Sequence, residues 1–250
     1  MKSGAQLYTI REFCKTPEAL AESLRKVADI GYTTVQLSGV CEYDAQWMKE
    51  QLAATGLECV VTHIAAAKLQ EQLDKVCADH KVFGCGNIGL GYFDFRKMTP
   101  EEAYPQFVEL YKPVAKKLKD NGLYFMYHNH DGEFKTYEGQ TILRRIAQDF
   151  SPEELGIIVD TYWVQKGGAN PAEYIREFAG RVPCIHVKDY AYGAAMAVVG
   201  EGNINFEAVI AAAEDAGTKY LLVEQDDCYG EDPFECLKRS YQNLRALGVE

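Results

Sequence analysis

The sequence predicts an α/β protein, one (β/α)8 TIM barrel occupying residues 1–250 as a single domain. Three observations predict it. The chain has 250 residues, and a barrel of this kind needs about 250. Short apolar or β-branched runs alternate strictly with stretches long enough for a helix, which leaves a closed barrel or a doubly wound sheet. Finally, the runs number eight, which favours the barrel. No Gly-rich phosphate fingerprint follows the first run, which argues against a dinucleotide-binding sheet.

Strands are expected at Ala5–Tyr8, Thr34–Leu37, Glu58–Thr62, Asn87–Leu90, Tyr124–His128, Gly156–Val159, Cys184–Val187 and Tyr220–Val223. Most are almost continuously hydrophobic, as parallel strands covered by helices are. Helix starts are read at Thr16-Pro17, Thr99-Pro100, Ser151-Pro152, Asn170-Pro171 and Asp232-Pro233. In each, a capping side chain precedes a proline that has no N–H to lose at the first helical position. Ala19, Leu20, Leu24, Val27 and Ile30 then recur at helical spacing, and Gly31 ends that helix.

The net charge of −11 repels polyanions, so neither nucleic acid nor an anionic membrane surface is an expected partner. No apolar run approaches the roughly 18–20 residues of a membrane span, and Met1–Ile10 lacks a signal pattern. None of the eight cysteines is spaced CxxC. They read as reduced thiols of a cytoplasmic protein. Cys77, His80 and Cys85 lack a fourth zinc ligand at regular spacing.

Barrel enzymes draw catalytic residues from the C-terminal ends of several strands. Here those ends are polar. They carry Tyr8, Gln36 and Ser38, His63, His128-Asn129-His130, Asp160, His186-Val187-Lys188-Asp189 and Glu224-Gln225-Asp226. Alternation along a strand puts His128 with His130, His186 with Lys188, and Glu224 with Asp226 on common faces. If those faces meet in the barrel mouth, imidazoles and carboxylates converge. Such a set suits a divalent metal, Mn²⁺ foremost, with Co²⁺, Zn²⁺ or Mg²⁺ as alternatives. Taken singly, each residue also has a structural reading. A strand-end His can be a hydrogen-bonded core residue, Asp160 a cap for the following turn, and Lys188 and Asp189 an ion pair on the rim.

These residues resemble a known family. Ala5-Gln6-Leu7-Tyr8-Thr9-Ile10-Arg11, Tyr127-His128-Asn129-His130-Asp131-Gly132-Glu133-Phe134, Val159-Asp160-Thr161, Ile185-His186-Val187-Lys188-Asp189, Gly200-Glu201-Gly202-Asn203-Ile204 and Val223-Glu224-Gln225-Asp226 occur in order along the chain. Together they resemble the sugar phosphate isomerase/epimerase family of xylose-isomerase-like barrels, in a branch with a YHNHxxEF fifth strand. The fifth strand is also similar to that of inosose dehydratase. The resemblance implies metal ligation by Asp160, His186 and Glu224. His128 stands where the epimerases carry a glutamate, and it can ligate through its imidazole. The family's endonucleases place a zinc-binding His where this chain has Trp163, so a nuclease is not implied.

The chemistry so implied is proton abstraction beside a carbonyl, with a metal-stabilised enediolate. Reprotonation gives isomerisation or epimerisation, and expulsion of a β-hydroxyl gives dehydration. Glu224, His130, Lys188 and Glu133 are the catalytic candidates. Tyr8, His63, Trp163 and Glu201 are substrate candidates, and Trp163, Tyr8, Tyr162 and Phe95 could stack on a sugar. Asp226, Asp227, Glu231 and Asp232 crowd the eighth loop and would repel a phosphate, despite the backbone donors of Gly200 and Gly202 in the seventh. The expected substrate is therefore an unphosphorylated sugar, keto-sugar or cyclic polyol. The alternatives are a dehydratase of an inosose or 3-keto sugar, and a non-catalytic sugar-binding barrel. Homo-oligomerisation is left open.

Overall fold

A computed structural model describes residues 1–250. Eight parallel strands close into a barrel: β1 (Lys2–Gln6), β2 (Thr34–Leu37), β3 (Glu58–His63), β4 (Asn87–Leu90), β5 (Tyr124–His128), β6 (Leu155–Asp160), β7 (Cys184–Val187) and β8 (Tyr220–Val223). Each strand pairs with its neighbours in sequence, and β1 pairs with β8 to seal the ring. The surrounding layer comprises α1 (Pro17–Ile30), α2 (Ala45–Thr55), α3 (Ala66–Glu71), α4 (Leu73–Phe83), α5 (Pro100–Asp120), α6 (Ile142–Asp149), α7 (Thr161–Lys166), α8 (Pro171–Glu177), α9 (Phe206–Asp215) and α10 (Pro233–Ala246). No helix is long and apolar enough to cross a membrane.

The helix starts follow from their capping groups. Thr16 Oγ1 accepts the Ala19 N–H at the start of α1, and Thr99 forms a capping box with Glu102 at α5. Asn170 and Asp232 accept the N–H of Ala172 and Phe234 at α8 and α10. Gly31 ends α1 at φ 119°, a conformation a side chain resists. Ser151-Pro152 does not start a helix. Residues 151–154 form one turn, with the Leu155 N–H bonded to Ser151 O, because β6 begins at Leu155.

The first strand is also displaced from the expected Ala5–Tyr8. It ends at Gln6, whose side-chain oxygen accepts the Tyr8 N–H at 2.6 Å and so starts a 3₁₀ helix over Leu7–Phe13. Its beginning moves back because Lys2 and Ser3 pair with Tyr220 and Leu221 of β8.

The hydrophobic residues divide into two sets. The larger lies between strands and helices and includes Leu24, Phe107, Phe125, Tyr127 and Leu237. The smaller fills the barrel interior with Val60, Val61, Met126, Ile158, Cys184 and Leu222. Val60 and Val61 both join it because the β2–β3 register shifts between Val35 and Gln36, skipping Val60. The interior set decides where the site lies. Val61, Met126, Ile158, Cys184 and Leu222 each stand two residues before His63, His128, Asp160, His186 and Glu224. Period-two alternation therefore aims those five polar side chains inward, one layer above the apolar plug.

Candidate metal centre and active site

His128, Asp160, His186 and Glu224 are buried, and one ligand atom from each lies within 4.8 Å of the others. Four consecutive strands, β5 to β8, supply them. Asp160 divides its carboxylate. Oδ1 accepts the Trp163 N–H at 2.9 Å and caps α7, while Oδ2 faces His128 Nε2 at 3.2 Å and His186 Nδ1 at 3.6 Å. The capping role and the central role thus coexist in one side chain. Glu224 is held similarly. Gln6 donates to Oε1 at 2.6 Å, and Oε2 lies 3.1 Å from His186 Nδ1 and 3.4 Å from Lys188 Nζ.

The donor set fits a divalent cation. His128 Nδ1 donates to Gly91 O at 3.1 Å, and His186 Nε2 donates to Gln36 Oε1 at 2.7 Å. These outer bonds fix the tautomers that turn the inner nitrogens' lone pairs towards the centre. His186 Nδ1 is buried and makes no hydrogen bond, although two carboxylates lie close by. A buried nitrogen orphaned beside two anions is the signature of a position for a cation. The set of two imidazoles and two carboxylates suits a transition-type dication better than Mg²⁺.

A proton competes with a cation for the same position. Burial opposes charge on His186, but Glu224 and Asp160 outweigh it and push the imidazole up to about 9. Burial also opposes ionisation of Glu224 and Asp160, yet Lys188 and the imidazoles hold both carboxyls below the usual range. Lys188 is 1% exposed, and against burial its ammonium is favoured by Glu224, Asp160 and Asp226. Its shortest ion pair is with Asp226, at 2.7 Å. Asp189, the rim partner expected from sequence, instead accepts the N–H groups of Tyr190, Gly200, Gly202 and Ile204. That use of Asp189 also consumes the Gly200 and Gly202 donors weighed for phosphate.

A cavity of about 1100 Å³ opens over the cluster. His128, Glu224, Lys188, His130, His63, Tyr8 and Trp163 all line it, so these predicted site residues come together. The His63 ring fits because Gly89 of β4 and Gly91 just beyond it present no side chains to it. A Cβ on Gly91 would lie 2.6 Å from His63 Nδ1, and one on Gly89 would lie 2.9 Å from its Cδ2. His130 is kept neutral, its imidazole depressed by burial and by His128, and its Nδ1 is unpartnered. Trp163 is crowded rather than open as a stacking platform. Arg96, Lys166 and Lys188 lie 4.4, 4.6 and 5.0 Å from its ring, and His130 packs at 5.1 Å.

Several expected residues lie elsewhere. Glu133 is buried on the helix side, hydrogen-bonded by the Tyr127 hydroxyl, and does not line the cavity. Burial pushes its carboxyl up to about 7 against the lowering effect of Tyr127. Glu201 is bound by Arg239 at 2.9 Å, away from the cavity. Phe95 is in the core between strands and helices, and the Tyr162 hydroxyl donates to Ala194 O. His80 spends both ring nitrogens on Thr62 Oγ1 and Val76 O, so Cys77, His80 and Cys85 form no ligand set. Gln6 and Arg96 join the site without having been singled out, and Asp226 joins it on the face expected from alternation with Glu224. The signal for Gln6 was the one amide in the expected run Ala5–Tyr8.

The family model for xylose isomerase-like TIM barrels matches residues 24–247. The chain belongs to this family. No curated protein sequence matches it. Among solved structures, a sugar phosphate isomerase/epimerase from Parabacteroides distasonis shares 21% identity at a TM-score of 0.83, covering 98% of this chain and 94% of that one. An L-ribulose 3-epimerase shares 15% identity at 0.78, covering 98% and 94%. A probable 3-DHS dehydratase from Bacillus anthracis shares 14% identity at 0.75, covering 98% and 99%. At these identities the likeness to xylose-isomerase-like structures is one of fold, and one fold hosts several chemistries.

Proposed function

We propose that this xylose-isomerase-like barrel is a divalent-metal-dependent isomerase or epimerase of an unphosphorylated sugar or keto-sugar. The observation that carries the reading is the buried His128, Asp160, His186, Glu224 cluster with the Lys188 ammonium against it. Mn²⁺ is the cation we assign to it, held by those four side chains. A dication there would supply positive charge for the substrate oxygen that becomes anionic when the neighbouring carbon loses its proton.

The chain's own groups then handle the proton. Glu224 is ionised and lines the cavity, so it is the acceptor at the reacting carbon. As Glu224 gains a proton its attraction for Lys188 fades, and Lys188 keeps Asp226 as counter-ion at 2.7 Å. The lost attraction to Lys188 is part of the cost of that protonation, and the Asp226 pair keeps the buried ammonium compensated while it lasts. His130, neutral and with Nδ1 free, accepts a hydrogen bond from a substrate hydroxyl or receives its proton.

The unphosphorylated substrate is supported by the state of every cation near the cavity. Lys188 is paired with Asp226, Arg96 with Asp131, Lys68 with Glu42 and Lys75 with Asp79. Arg11 donates to the carbonyls of Tyr8 and Asp226. A phosphate dianion would lose its hydration and find no free partner.

The deciding experiment incubates candidate sugars with the Mn²⁺-loaded protein in deuterated water. We expect deuterium in an isomer of unchanged formula, and an exchange rate lower by about 10²–10⁴-fold in Glu224→Gln, the scale of a general base. Exchange that persists in Glu224→Gln would remove it as the base. Matched phosphorylated and unphosphorylated sugars test the second clause, and a higher kcat/KM for the phosphorylated member overturns it. One rival, dehydration of an inosose or 3-keto sugar, would use the Lys188 ammonium that lines the cavity as the donor to a departing hydroxyl. Loss of water in the same experiment identifies that outcome.

A further inference from the structure

Building on the sugar reading above, we propose that the substrate carries a second, neutral ring. It would be a disaccharide or other glycoside whose distal unit lies in the groove above β2 and β3. The cavity's size is the first reason. Pockets for drug-sized ligands occupy roughly 300–1,000 Å³, and this one reaches about 1100 Å³. A single ring at the His128–Glu224 cluster uses only its inner end.

The second reason is that the cavity is closed on one side and extended on the other. Over β6–β8, Asp189–Ala191 and Ala195–Ala197 pair as an antiparallel ribbon. Tyr162 donates to Ala194 O at 2.7 Å, and the Met196 N–H donates to the Tyr229 hydroxyl at 3.1 Å, so the ribbon is tied to both flanking loops. No ribbon residue lines the cavity. Over β2 and β3 the cavity continues along Val40, Tyr43, Ala65, Ala66 and Gln72. A substituent on the reacting ring can leave the centre in that direction.

The third reason is the chemistry of the groove. Its lysines are compensated locally, Lys68 by Glu42 and Lys75 by Asp79, so it offers no net charge to an ionic tail. Val40, Ala65 and Ala66 present small apolar walls. Gln72 stands at the N-cap of α4 without capping it, leaving its amide for a hydroxyl. Apolar walls with sparse neutral hydrogen-bonding groups match a sugar ring's alternating C–H and O–H surface.

The test compares binding, by calorimetry on the Mn²⁺-loaded protein, of glucose and galactose with maltose, cellobiose, trehalose and lactose. Ala66 is exposed in the first turn of α3, so Ala66→Trp fills the groove without entering the core. Gln72→Trp, also exposed, serves as a second block. We expect at least one disaccharide to bind about tenfold or more tightly than its constituent monosaccharide. Either Trp variant should erase that advantage while leaving monosaccharide binding and the thermal midpoint unchanged. If no disaccharide outbinds its monosaccharide, or if the advantage survives both blocks, the proposal is overturned. Deuterium exchange is read separately. Its failure with every sugar would refute the proton-transfer chemistry while leaving the binding comparison to stand or fall alone.

Discussion

At the scale of single residues, burial separates groups that look equivalent along the chain. Glu133 and Glu224 are both glutamates that follow a barrel strand and lie near histidines in sequence, Glu224 directly after β8 and Glu133 in the short turn Gly132–Phe134 beyond β5. Glu224 meets Lys188 and His186 and stays ionised, whereas Glu133 meets a phenol and an apolar shell and is pushed up to about 7. A carboxyl whose pKa is raised on folding binds more protons folded than unfolded, so it makes stability fall as pH rises from its unfolded value through about 7. The span from 4.5 to about 7 corresponds to on the order of 3 kcal/mol. Urea denaturation at pH 5.5 and pH 8 should therefore show Glu133→Gln flattening the decline seen in the wild type. Its turnover should stay within a few-fold of wild type, since Glu133 does not line the cavity. A loss comparable to Glu224→Gln would return Glu133 to the catalytic set.

At the scale of elements, the segment after β7 depends on one side chain. Asp189 is fully buried and accepts four backbone N–H groups, three of them between Gly200 and Ile204. A side chain on Gly202 would lie 2.5 Å from Asp189 Oδ1, so the loop wraps tightly on the carboxylate. Asp189→Ala would orphan these donors, each at about 1–3 kcal/mol where it stays buried. We expect a loss of at least about 2 kcal/mol in chemical denaturation, with Mn²⁺ affinity held within a few-fold. A large fall in Mn²⁺ affinity would mean that Asp189 also orients Lys188 and the centre. The strands themselves were legible as apolar runs because both faces of a parallel barrel strand are covered. Their ends were less so. The Gln6 cap that stops β1 and the three-residue spacing that cancels a helix at Pro152 are backbone hydrogen-bonding events with no periodic signal.

At the scale of the whole molecule, a cation held by β5 to β8 would cross-link half of the barrel wall. Binding to the folded state alone stabilises by about 2.7 kcal/mol at a hundredfold excess over Kd. Mn²⁺ should therefore raise the thermal midpoint, a chelator should reverse the rise, and His128→Ala or Asp160→Ala should abolish it. Hydrogen exchange should slow at the C-terminal ends of β5 to β8 more than at those of β1 to β4. A midpoint indifferent to Mn²⁺ in the wild type would contradict a site built from these four residues.

The sequence by itself determined the strand count, the barrel and the ring of polar strand ends. Eight apolar runs, caps before prolines and period-two alternation are local properties that survive in one dimension. It also exposed histidines and carboxylates at strand ends, which barrel closure makes converge, and the family resemblance picked out Asp160, His186 and Glu224 among them, with His128 in place of a glutamate. Tertiary structure alone decided which polar groups share the mouth and which turn away. Lys188 pairs with Asp226 rather than its neighbour Asp189, Glu133 folds back to Tyr127, and Glu201 is captured by Arg239. These choices are set by through-space charge and burial between residues distant in the chain, which spacing along a sequence does not encode.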